Sequence, residues 1–148
     1  MIAIASDHGG FELKQQVVDY LKKNGYEVKD FGTFTCDSVD YPDYAQMVGE
    51  SIVNGECEKG IIICGTGIGI SIAANKIPGI RAALCTDSYM ARMSREHNNA
   101  NVLALGGRVV GPELAFDIIK TWLGTEFAGG RHQRRIDKIS QIESKYYK

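Results

Sequence analysis

Short apolar runs and stretches of helical spacing alternate five times along this chain, and that rhythm leaves few folds open. Residues 2–6 read as a buried strand. Over residues 11–24, Leu13, Val17 and Leu21 share one helical face and Gly25 stops the helix. Residues 26–31 alternate as a second strand, and a loop with Gly32 and Pro42 leads to a helix over about 43–53. A third strand, 60–64, is apolar on both faces; Gly65-Thr66-Gly67-Ile68-Gly69 and a helix through Ala74 follow it. Residues 80–85 form a fourth strand, and Asp87 caps a helix running to about Asn98. The fifth strand, 102–105, leads through Gly106-Gly107-Arg108 to a helix opened by Pro112 and ending at Leu123. Beyond the glycine-containing segment 124–130 comes a polar tail helix over about 131–146, with Ile136, Ile139 and Ile142 on one stripe.

This pattern predicts an α/β fold: a single Rossmann-like three-layer α/β/α domain over 1–148, with a five-stranded parallel sheet and an extra C-terminal helix. The chain's 148 residues match one domain. Lys and Arg number 17 against 18 Asp and Glu, so no basic field is available for nucleic acid. No apolar run approaches the roughly 20 residues of a membrane helix. The start of the chain shows no basic-then-apolar leader, and Cys36, Cys57, Cys64 and Cys85 form no C-x-x-C pair. A cytoplasmic protein with free thiols, no metal and no cofactor is expected.

In open parallel sheets, ligands bind outside the carboxyl ends of the strands. Here those ends carry Asp7-His8, the loop around Tyr41, the glycine loop, and Arg108. The loop Cys64-Gly65-Thr66-Gly67-Ile68-Gly69 joins a buried strand to a helix, where backbone amides converge on an anion. Ile70 stands where a nucleotide P-loop needs Lys, and where a C-x5-R phosphatase needs Arg. The glycines fall as G-x-G-x-G, not as the dinucleotide G-x-G-x-x-G. An anion-binding loop beside a thiol remains, and a helix N-terminus lowers a thiol's pKa, which marks Cys64 as the reactive cysteine. His97 and Asn98 end the fourth helix. Arg131 and Arg135, spaced i, i+4, suit a phosphate.

These segments resemble a known family. The residues are Asp7-His-Gly-Gly-Phe-Glu-Leu-Lys14, Asp40-Tyr-Pro-Asp43, Cys64-Gly-Thr-Gly-Ile-Gly-Ile-Ser-Ile-Ala-Ala-Asn-Lys76, Arg95-Glu-His-Asn98, Asn101-Val-Leu-Ala-Leu-Gly-Gly-Arg108 and Gly130-Arg-His-Gln-Arg-Arg135. Together they resemble ribose-5-phosphate isomerase type B, in a group that includes the galactose-6-phosphate isomerase subunits. The resemblance implies a metal-free aldose–ketose isomerase of the pentose phosphate pathway, acting through a cis-enediolate. It makes Cys64 the base and His97 the acid that helps open the sugar ring. It assigns Gly65, Thr66, Gly67, Ile68 and Gly69 to the enediolate oxygens. Asp7, His8, Asn98, Arg108, Arg131 and Arg135 become substrate contacts, the last two at the phosphate, with Tyr41 beside the sugar. A second branch of the family places a Glu base where this chain has Ile70, so the resemblance is to the thiol branch. Two other readings share the same residues: an isomerase of allose or galactose 6-phosphate, and a non-catalytic module binding a phosphorylated ligand.

The same layout predicts how the protein assembles. A right-handed crossover carries the fourth helix back to the amino edge of the sheet. At ~1.5 Å per residue, that puts His97 roughly 16 Å from the edge that holds Cys64. A homodimer with shared active sites is therefore expected, with a tetramer as the alternative.

Overall fold

The computed structural model describes residues 1–147. Five parallel strands run in the order β2-β1-β3-β5-β4: β1 (Ile2–Ser6), β2 (Val28–Asp30), β3 (Lys59–Cys64), β4 (Ala82–Leu84) and β5 (Val102–Gly106). The helices are α1 (Phe11–Lys23), α2 (Tyr41–Val53), α3 (Ile68–Ala74), α4 (Ser88–Glu96), α5 (Pro112–Leu123) and α6 (Arg131–Tyr146). The fold is thus the three-layer α/β/α arrangement that the pattern predicts.

Alternation along β3 feeds two cores. Ile61 and Ile63 pack with Leu13, Val17, Ile118 and Trp122 on the α1/α5 face. Ile62 and Cys64 pack with Val48, Ile70 and Ala74 on the α2/α3 face. The central strands β1, β3 and β5 are buried on both faces, which explains their unbroken apolar runs. The edge strands are shorter than expected: β2 covers 28–30 rather than 26–31, and β4 covers 82–84 rather than 80–85. Each has one strand neighbour, so pairing stops before the apolar pattern does. Helix α2 starts at Tyr41 rather than about 43, because Pro42 fits the first turn, where a missing N–H is no loss.

The strand order places the switch point between β1 and β3, since the chain leaves β1 for β2 and returns on its other side. Glycines let the strand ends meet backbone to backbone there. A Cβ on Gly10 would lie 2.5 Å from the Ile63 carbonyl oxygen, and one on Gly106 2.6 Å from that of Thr66. The Gly107 and Arg108 amides then donate to the Cys64 and Gly65 carbonyls at 2.8 and 3.0 Å.

Beside this junction Lys14 is 1% exposed, and its Nζ donates to both Asp30 carboxylate oxygens at 2.6 and 2.7 Å. Asp30 Oδ1 also accepts the Gly32 amide at 2.9 Å, anchoring the loop that follows β2. Lys14→Met leaves that carboxylate without its cation. Removing one partner of a buried pair costs about 3–5 kcal/mol; the 28% exposure of Asp30 puts this site near the low end, about 3 kcal/mol. At ~2–4 °C per kcal/mol, the melting temperature should fall by about 6–12 °C at matched protein concentration. A melting curve within about 1 °C of wild type would contradict that role for the pair.

Candidate active site

At the carboxyl edge, the thiol sits inside the turn that opens α3. Gly67 takes φ +81°, a left-handed conformation suited to glycine, and caps the helix. Its amide therefore donates to Cys64 Sγ at 3.1 Å. The Ile68 amide donates to Thr66 Oγ1 at 3.1 Å, which leaves the Thr66 hydroxyl proton free to point elsewhere. Two of the loop amides expected to hold substrate oxygens are thus already engaged. In the first turn of α3, the amides of Gly69 and Ile70 have no intrahelical acceptor.

Tyr41, at the start of α2, lies against Gly69: a Cβ there would be 2.8 Å from the Tyr41 ring. Asp7 is buried, and its Oδ1 accepts the amides of Gly9 at 2.8 Å and Gly10 at 3.2 Å, so half of this carboxylate is structural. His8 Nδ1 accepts the Val39 amide at 3.1 Å, which leaves Nε2 of the neutral ring as a donor. His8 and Arg108 line a cavity of about 260 Å³ with Gly9, Glu12, Leu13, Cys36 and Gly107. The Arg108 guanidinium also covers Gly65, with one nitrogen 3.3 Å from where a Cβ would stand.

The four cysteines are free, but their settings differ. Cys36 is exposed, whereas Cys64 is buried with its sulfur on an amide. Burial, with a smaller contribution from Asp87, pushes the Cys85 thiol up to about 11 against a weaker opposing hydrogen bond from Ser94. Cys85 therefore stays protonated at neutral pH and cannot compete as a base.

The remaining residues gather at the opposite edge. His97 caps the C-terminus of α4, its amide on the Met93 carbonyl. Asn101 donates to the Arg81 carbonyl and accepts the Gly60 amide, so this segment lies at the amino ends of β3 and β4. Cys64 is four residues further along β3, about 13 Å away at ~3.3 Å per residue. Arg131 and Arg135 open α6, and between them His132 stacks on His97, ring centroids 4.1 Å apart and planes 12° apart. Buried Arg95 ties the two segments together, donating to the carbonyls of Ala100 at 2.6 Å and Thr125 at 3.2 Å.

The expected site residues thus fall into two separate groups on one chain. Asp7, His8, Tyr41, the residues from Cys64 to Gly69, and Arg108 form one; His97, Asn98, Arg131 and Arg135 form the other. His132 joins the second group through its stack on His97, and the sequence reading does not single it out. Its signal lay in the α6 stripe, which reaches His132 four residues before Ile136. Another cavity, of about 570 Å³, lies between β4 and α6. Of these residues it includes only Asn98, and no thiol or phosphate-type loop lines it.

Residues 2–139 match the profile of a family described as Ribose/Galactose Isomerase. The chain belongs to that family. It is 52% identical over 144 residues to ribose-5-phosphate isomerase B of Escherichia coli, covering 97% of each chain. To the D-erythrulose-4-phosphate isomerase of Pectobacterium atrosepticum it is 46% identical over 143 residues, covering 96% of this chain and 94% of that one. The solved ribose-5-phosphate isomerase B of Clostridium thermocellum superposes with a TM-score of 0.97 at 66% identity, covering 98% of each chain. The protein is accordingly a sugar-phosphate isomerase of the ribose/galactose isomerase family. Among its described residues, no helix is long and apolar enough to cross a membrane.

Proposed function

We propose that this isomerase interconverts ribose 5-phosphate and ribulose 5-phosphate in the cytoplasm, in a site completed by a second copy of the chain. The observation that carries the reading is Cys64 Sγ accepting the Gly67 amide at 3.1 Å, inside the turn that opens α3. The identity to ribose-5-phosphate isomerase B supports the choice of sugar.

Cys64 Sγ removes the C2 proton of the open-chain aldose, and the C2–H electron pair moves through the C1–C2 bond onto O1. This gives a cis-enediolate. The Thr66 hydroxyl and the free amides of α3 donate to its oxygens as charge develops. A proton passes from O2 to O1, and the thiol returns its proton to C1, giving the ketose. The Asp7 Oδ2 and His8 Nε2–H meet sugar hydroxyls, and Tyr41 walls the sugar side. Arg108 faces the phosphate together with Arg131 and Arg135 of the second copy. That copy's His97 protonates the ring oxygen as the C1–O4 bond breaks and the anomeric hydroxyl gives its proton to water, and its Asn98 reaches a hydroxyl. Phosphate binding is remote from C1 and C2, so its energy positions the substrate.

Initial rates on ribose 5-phosphate, allose and galactose 6-phosphates, and erythrose 4-phosphate test the assignment. One carbon more or less should lower kcat/KM by about tenfold or more. A preference for a six-carbon phosphate would replace the substrate, and binding without turnover of any would replace the enzyme reading with a binding module.

A further inference from the structure

The amino-edge group of residues holds a second imidazole that the reaction above does not use. His132 is 8% exposed, and its ring lies face to face with that of His97. Neither ring hydrogen-bonds a protein group among the described residues, so hydrogen bonds do not orient His97. The face of its ring instead lies on His132, nearly parallel at 4.1 Å.

We propose that His132 is a positioning residue for His97, holding the plane of its ring so that a nitrogen faces the sugar. This rests on the reading of His97 as the acid of ring opening. The charged groups around His132 are His97 and Glu96 from α4 and Arg131 and Arg135 from its own helix. Loss of hydration, then the charges of His97, Arg131 and Arg135, hold the His132 pKa below the ordinary imidazole value, against the opposite pull of Glu96. Two imidazolium rings face to face would repel, so a neutral His132 is the partner that keeps the stack intact. Both nitrogens of His97 stay available to substrate, which a hydrogen-bonded orienting group would not allow.

The test separates ring opening from enolisation. Ribulose 5-phosphate carries phosphate on its C5 oxygen and is open-chain, so deuterium wash-in at its C1 in heavy water reports Cys64 chemistry without a ring step. His132→Ala should lower net conversion of ribose 5-phosphate by about tenfold or more, a typical penalty for misplacing a reacting group, and lower wash-in much less. His132→Phe, which keeps a flat neutral ring, should restore most of the lost conversion. Equal losses in both readouts for both variants, or no loss in either, would overturn the proposal. If wild type shows neither conversion nor wash-in, or Cys64→Ser retains both, the isomerase reading fails first and takes this proposal with it. Normal wild-type and Cys64→Ser behaviour beside indifferent His132 variants sinks the positioning role alone.

Discussion

Cys64→Ser lowers kcat on ribose 5-phosphate by at least about a hundredfold, within the ~10²–10⁴ contribution of a positioned base. The replacement changes little else. A serine oxygen can accept the same Gly67 amide, and the side chain fits the same buried place at the end of β3. What is lost is acidity. An alcohol is intrinsically a far weaker acid than a thiol, and the thiolate is the species that can take a proton from carbon. Binding of a phosphate-bearing inhibitor should stay near the wild-type value, because Arg108 and the glycine loop are untouched. Steady-state rates with inhibitor titration check both halves. Wild-type kcat in the Ser variant would remove Cys64 from the reaction.

Much of this architecture is legible in the sequence because buried parallel strands write themselves plainly. The runs at 2–6, 60–64 and 102–105 coincide with the central strands, apart from single residues at their ends. The edge strands are less legible, because the apolar pattern at 26–31 and 80–85 outlasts the pairing that one neighbour supplies. Strand order is not legible at all: nothing in the helix lengths says that β5, not β4, lies beside β3. In the glycine loop the residue types indicate an anion site, but not the division of its amides. That division follows from the left-handed turn at Gly67, which aims one amide at sulfur. The stack of His97 on His132 joins residues 35 positions apart. Helical spacing could have found the inward face of His132, since it extends the line of Ile136, but not its partner. Along that same stripe Ile136 is buried while Ile139 and Ile142 are exposed, at 43% and 61%.

The separation of the two groups of residues leads to the second large effect. Cys64 stands at the carboxyl end of β3, and His97 stands where the chain re-enters the sheet at the amino end. A side chain cannot cross the ~13 Å of strand between them. If both act on one sugar, a two-fold partner must lay its His97, Asn98, Arg131 and Arg135 over the first copy's Cys64. Each dimer then has two equal composite sites. Chains carrying Cys64→Ala and chains carrying His97→Asn are each inactive alone, yet a mixed dimer contains one site with both groups intact. Random pairing makes half the dimers mixed with half their sites restored, so activity should return to about a quarter of wild type. The decisive measurement is ribose 5-phosphate turnover after co-refolding equal amounts of the two variants, with mixed dimers verified by mass. Recovery to about a quarter is the expected result, and activity no greater than that of the separate variants, with mixed dimers present, would contradict the shared site.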